Sequence, residues 1–209
     1  MYLERPLREF IADTSSRTPT PGGGSVAALV GALGSSLLSM VGNFTLDKEK
    51  FKSAEEEVQN ILKELNLFTS KLCSLLEDDI SAYQNFFKVS SLPKKTREEK
   101  QMREKLLQEA LKKAAEVPFK TCELSFSLLN IASRLLEIGN PRLISDVGVG
   151  AILAQACLES AALNVEINLS YIKDQLLVKG KRESLASLLE KGNELTSKIV
   201  NKVQEALRV

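Results

Sequence analysis

Seven residues near the start of the chain, Pro19-Thr20-Pro21-Gly22-Gly23-Gly24-Ser25, have the types and spacing to do chemistry. Three consecutive glycines ahead of a serine and a long apolar run read as a flexible turn feeding a helix N-terminus, with Ser25 as its N-cap. Free backbone N–H groups at such a helix start hold phosphate, carboxylate or a polarised carbonyl without any cationic side chain. The same glycines would equally suit a sharp turn or the close packing of two helices, and spacing alone does not choose between these roles. No Lys-Ser/Thr follows the glycines and no strand-like run precedes them, so this is neither a P-loop nor a dinucleotide fingerprint.

The absence of histidine narrows the chemistry further. It excludes His-based triads, His-ligated metals and imidazole bases, leaving proton transfer to carboxylates, Lys, Tyr or Cys. Lys and Arg total 28 against 27 Asp and Glu, so a net charge of +1 supplies no global attraction to nucleic acid or an anionic membrane. The chain has no Trp and only 5% aromatic residues, which argues against single-strand readers built on stacking. Cys73, Cys122 and Cys157 are far apart, odd in number and set in apolar helical patterns, so they are expected to be reduced core residues of a cytoplasmic protein. Met1 to Phe10 mixes Glu4, Arg5, Arg8 and Glu9 and does not have the form of a signal peptide.

The elements that must position any site are helical throughout. Leu3, Leu7, Phe10 and Ile11 predict a short helix over about 2–14. From Ser25 to about Thr45 a charge-free helix carries small residues at every fourth place, Ala27, Gly31, Ser35 and Ser39, and is expected to be the core helix. Its four serines, Asn43 and lack of an aromatic belt argue against a membrane span. A long amphipathic helix follows from Ser53 to Val89, with Glu55, Glu56 and Glu57 in its first turn. Thr96 and Glu99 form a capping box for the next, whose cations Lys94, Lys95, Arg97, Lys100, Arg103 and Lys105 read as a solvated face or as a basic rim for an acidic ligand tail. Pro118 predicts a kink or restart, and Gly139-Asn140-Pro141 an end. Ser145 is expected to cap the next helix, with Asp146 in its first turn. A second small-residue stripe, Gly150, Ala154, Cys157, Ala161, Asn164 and Asn168, complements the first, so the two helices should pack closely within one protomer or across a dimer. Lys181 to Val209 completes a single-domain, all-α bundle of about six helices, several of them long.

Taken together, TPTPGGGSVAA (18–28), LDKEKF (46–51), DISAYQNF (79–86), LPKKTREEK (92–100), Gly139-Asn140, SDVGVGA (145–151) and ALNVEINL (162–169) resemble one family. This is the formiminotetrahydrofolate cyclodeaminase / methenyltetrahydrofolate cyclohydrolase family, the cyclodeaminase half of formiminotransferase-cyclodeaminase. The resemblance runs over roughly residues 1–175 in the family's order. It implies an all-helical homodimer with no metal and no cofactor beyond its folate substrate, which would be a tetrahydrofolate derivative with or without a polyglutamate tail. The implied reaction closes an N5-formimino group onto N10, releasing ammonia and giving 5,10-methenyltetrahydrofolate; some members instead hydrolyse that bridge to 10-formyltetrahydrofolate. Neither reaction needs histidine.

Within these matched segments the catalytic candidates are Asp146, Asp79 and Lys48. Asp146, at a helix start, would stay ionised and suit a base or a pterin anchor, or it is a simple first-turn carboxylate. Asp79 lies four residues before Tyr83, so the two share a helix face; the alternative is a surface Asp. Lys48 would hold the folate glutamate tail or donate a proton, unless it is an ordinary loop lysine. Gly22, Gly23, Gly24, Ser25, Tyr83, Asn164 and Asn168 are the candidate substrate-binding residues, the two amides being equally able to bond another helix. Ser35 and Ser36 stand where the family usually has Ala or Gly, and Asp47-Lys48 where it has Gly-Lys. No formiminotransferase half accompanies the match, so a stand-alone protein is expected. A non-catalytic helical dimer that binds a partner is the reading of another class.

Overall fold

The computed structural model describes residues 1–208, so the expected end of the last helix at Val209 lies outside the described residues. Six α-helices follow in order: α1 Leu7–Thr14, α2 Gly23–Asn43, α3 Glu55–Ser90, α4 Arg97–Ile138, α5 Ile144–Leu169 and α6 Gln175–Leu207, with 3₁₀ turns at Tyr2–Glu4, Glu49–Ala54 and Pro141–Leu143. Among the described residues there is no strand, and the all-α bundle expected from the periodicities is what forms.

Helix α2 is the axis of the bundle. A Cβ on Gly31 would lie 2.7 Å from Cys157 Sγ, one on Gly34 3.2 Å from the Gly150 carbonyl, and one on Gly150 2.8 Å from Leu38. The paired positions advance along α2 as they retreat along α5, so the two small-residue stripes meet antiparallel, at a distance that only missing side chains allow. Helix α3 lays Val58, Ile61, Leu65, Leu72, Leu76 and Ile80 onto this pair, and α4 adds Phe119, Leu128, Leu129 and Leu135. Burial lifts the Cys122 thiol to about 12 and the Cys157 thiol to about 11, so both remain neutral core groups.

Several boundaries differ from those expected, each for a local reason. Pro6 separates a 3₁₀ turn from α1, which therefore begins at Leu7 and not near residue 2. Gly22, in extended conformation, is the N-cap of α2; Ser25 sits one turn inside, fully buried. Ser145 does not cap α5: Asn140 caps the preceding 3₁₀ turn through Arg142 N–H at 3.2 Å, and that turn runs directly into the helix. Asp174 accepts from Leu177 N–H and starts α6 six residues before Lys181. Thr96 and Glu99 form the expected capping box. Helix α4 passes through Pro118 without a restart, and one carbonyl in that turn takes a side-chain donor in place of the missing backbone N–H.

Helices α2 and α5 also carry outward apolar stripes. Val26, Val30, Leu33, Leu37, Met40 and Phe44 recur in steps of four and three, as do Val149, Leu153, Ala156, Ser160, Leu163 and Ile167; all are exposed or half-buried, Leu33 by 53% and Leu163 by 74%. Gly23–Asn43 and Pro141–Leu169 are long and apolar enough to cross a membrane by length and composition, and here each buries one face in the bundle.

Candidate active site

Asp79 is the residue around which a site can be built. It lies on α3 at the level of the α2 N-terminus, where Ser25 Oγ donates to its Oδ2 at 2.7 Å. The Ser25 backbone N–H also bonds this carboxyl. Its other oxygen, Oδ1, stands over Gly24, where an added Cβ would come within 2.1 Å. The glycine turn therefore gives a side chain of the protein access to the helix start: the anion held there is Asp79, not an incoming ligand. Desolvation raises the Asp79 carboxyl above its ordinary 3.8, with the two Ser25 hydrogen bonds opposing the rise. A carboxyl so placed can exchange a proton at a less acidic pH than an exposed aspartate.

Asp79 lines a cleft of about 310 Å³ whose walls come from four separate segments of the chain. Pro19, Thr20 and Gly22–Gly24 form one side, Ala82, Tyr83 and Phe86 of α3 and Leu111 and Ala114 of α4 another, and Asn164, Ile167, Asn168 and Tyr171 the third. Asp79 is the only carboxylate among them, and Tyr83 and Tyr171 are the other titratable groups. The Asn168 amide has committed both of its donors to the protein, and the Asn164 amide one of its two. Asn164 Nδ2 donates to Ser160 O at 2.9 Å, and Asn168 Nδ2 donates to Ala114 O at 3.2 Å and Asn164 O at 2.8 Å. Asn168 therefore offers only its carbonyl oxygen, and Asn164 its oxygen and one remaining N–H; with the Asp79 carboxyl the site is rich in acceptors and matches a ligand edge that carries N–H groups.

Of the candidates read from the sequence, Asp79, Gly22, Gly23, Gly24, Ser25, Tyr83, Asn164 and Asn168 are brought together here, Ser25 beneath the carboxyl and not on the cleft wall. Asp146 and Lys48 are not with them. Asp146 precedes Asn164 by eighteen residues on α5, roughly 27 Å at 1.5 Å per residue, and Lys48 lies beyond the far end of α2. That opposite end has its own cavity of about 420 Å³, lined by Lys50, Phe51, Gly139 and Asn140 among others. There Asn140 N–H bonds Thr45 Oγ1 and Asn140 Nδ2 bonds Phe44 O, so the Gly139-Asn140 segment ties the end of α2 to the α4–α5 turn. Ala82, Phe86, Leu111, Ala114, Ile167 and Tyr171 were not singled out in the sequence; Ala82, Phe86 and Ile167 lay within the matched segments and could have been, and Pro19 and Thr20 were read as part of the turn without a binding role.

A larger groove of about 690 Å³ runs between α3 and α4, but its Arg134 is paired with Glu57 and Glu137. Among the described residues no group of three or more His, Cys, Asp or Glu side chains could hold a metal ion.

The geometry defines a class: an all-helical protein whose ligand cleft opens at the N-terminus of a buried glycine-led helix, with one desolvated carboxyl at its floor. The family model described as Formiminotransferase-cyclodeaminase matches residues 6–187, and the chain belongs to this family. It is 35% identical over 95% of its length to the Methenyltetrahydrofolate cyclohydrolase of Methylorubrum extorquens, of which 95% is covered. It is 32% identical over 97% of its length to the Formimidoyltransferase-cyclodeaminase of Sus scrofa, spanning 37% of that longer protein. The formiminotetrahydrofolate cyclodeaminase of Thermotoga maritima superposes with a TM-score of 0.82 at 30% identity, covering 100% of this chain and 98% of that one.

Proposed function

We propose that this protein is a folate one-carbon enzyme that converts 5-formiminotetrahydrofolate to 5,10-methenyltetrahydrofolate with release of ammonia. The observation that carries the reading is Asp79, desolvated, fixed by Ser25 and lining the cleft. In the reaction N10 attacks the carbon of the protonated formimino group, N5–CH=NH2⁺. Asp79 takes the N10 proton as the new C–N bond forms and returns it to the departing nitrogen, which leaves as ammonia when its bond to that carbon breaks. Asn164 and Asn168 accept from the N–H groups of the pterin, and the rings of Tyr83, Phe86 and Tyr171 flank it. No group beyond the folate is needed.

The cyclohydrolase is the second reading, favoured by the end-to-end match to the Methylorubrum extorquens protein. There Asp79 would deprotonate the water that adds to the methenyl carbon and return that proton to N5 as the N5–C bond breaks, while the new hydroxyl releases its proton to solvent as the carbonyl of 10-formyltetrahydrofolate forms. Purified protein with 5-formiminotetrahydrofolate separates the two: methenyl absorbance rising with ammonia supports the first, and ammonia-independent loss of supplied methenyltetrahydrofolate the second. Turnover in neither leaves a non-catalytic helical dimer.

We further propose a homodimer sealed by the outward stripes of α2 and α5. A two-fold axis across α2 would set the Lys48 and Asp146 end of one protomer beside the glycine turn of the other, giving those residues a place at the site. Arg97 and Lys100 continue the α4 stripe of Leu111 and Ala114, about 16 Å further along the helix, where a polyglutamate tail would emerge. The neutral thiols suit a cytoplasmic setting.

A further inference from the structure

Pro118 sits inside α4 with no obvious need to be there. A proline in mid-helix has no N–H to give the carbonyl four residues earlier, which here is Ala114, a residue of the cleft wall. That freed carbonyl is taken by Asn168 Nδ2 at 3.2 Å. The other hydrogen of the same Nδ2 goes to Asn164 O at 2.8 Å. With both donors fixed by main-chain oxygens, the Asn168 carboxamide cannot turn its nitrogen toward the cleft, and only Oδ1 remains for a ligand. An alanine at 118 would supply the missing N–H, compete for the Ala114 carbonyl and leave the amide held by Asn164 O alone, with its second hydrogen unpartnered.

We infer that Pro118 is a positioning residue of the folate site: by freeing the Ala114 carbonyl it locks Asn168 with its oxygen toward the cleft, to accept an N–H of the pterin ring or its amino group. The inference rests on the folate reading above. It concerns selectivity for donor-edged heterocycles, and it assigns a role in binding to a residue that touches no ligand.

The test measures the affinity of tetrahydrofolate for the full chain by calorimetry in wild type, Pro118→Ala, Asn168→Ala and the double variant, with a melting curve for each. Pro118→Ala should weaken binding about tenfold while melting cooperatively, and Asn168→Ala should do the same. The double variant should be no worse than either single one, because both act through one hydrogen bond. Wild-type affinity in Pro118→Ala, or losses that add in the double variant, would overturn the inference alone. Absence of folate binding by the wild type would overturn the folate reading and the inference with it. If Pro118→Ala fails to fold, the Asn168 side-chain amide protons of the wild type carry the test by NMR: both should be protected from solvent exchange with and without tetrahydrofolate, and rapid exchange of either overturns the inference.

Discussion

At the scale of single residues, the chemistry turns on how one carboxyl is held. Asp79 has a raised proton affinity because it is desolvated, and Ser25 restrains that rise by bonding the ionised form. Ser25→Ala removes the hydroxyl's share of that restraint and leaves the backbone N–H. With Asp79 as the base, activity grows as the pH climbs through its pKa, so the acidic limb of kcat/KM should move to higher pH in this variant; an unmoved limb speaks against the coupling. Stability runs the opposite way with pH. A carboxyl whose folded pKa lies above its unfolded value favours folding below that unfolded value, near 3.8, and loses the contribution as pH rises through the folded one. Asp79→Asn, which cannot ionise, should therefore melt no lower than wild type at neutral pH, as calorimetry would show. Gly24→Ala places a methyl 2.1 Å from Oδ1 and should abolish turnover in the steady-state assay by displacing the carboxyl. The sequence made Asp79 a candidate because it fell in a matched segment beside Tyr83. It did not indicate that Ser25 bonds α3 instead of capping α2, because capping propensity is local and Gly22 displaced it with an extended backbone.

At the scale of elements, close approach of α2 and α5 is what places Asn164 and Asn168 opposite the glycine turn. The stripes of small residues announced this contact in the sequence, since a four-residue period of Gly, Ala and Ser has few other uses in a charge-free helix. Gly31→Ala drives a methyl to 2.7 Å from Cys157 Sγ, in a core with no slack, and should cost about 1–3 kcal/mol in denaturant unfolding. Gly180→Ala, with open space around it, is the matched control and should be neutral or stabilising. The true starts of α5 and α6 were less legible. Asn140 and Asp174 outcompeted Ser145 and Lys181 as start signals through side-chain bonds to turns whose geometry is set by tertiary packing.

At the scale of the molecule, the sequence placed Asp146, Lys48 and Asp79 in one candidate site, whereas a single protomer holds them at opposite ends of the bundle. A linear pattern reports that segments belong to one family without reporting which end of a 30 Å helix each occupies. The proposed homodimer reconciles the two observations. Leu33→Glu combined with Leu163→Glu should convert a species of twice the 23.0 kDa chain mass into monomer on sedimentation, with folate turnover lost and helicity kept.

The central claim, that Asp79 moves the proton in folate turnover, is tested most directly by one paired measurement at saturating 5-formiminotetrahydrofolate. Wild type and Asp79→Asn are followed together for methenyl absorbance and released ammonia. The wild type should yield both products in equal amounts, and the variant should be slower by about 10²–10⁴-fold while still binding the folate. An Asp79→Asn protein that turns over within a few-fold of the wild-type rate would contradict the account.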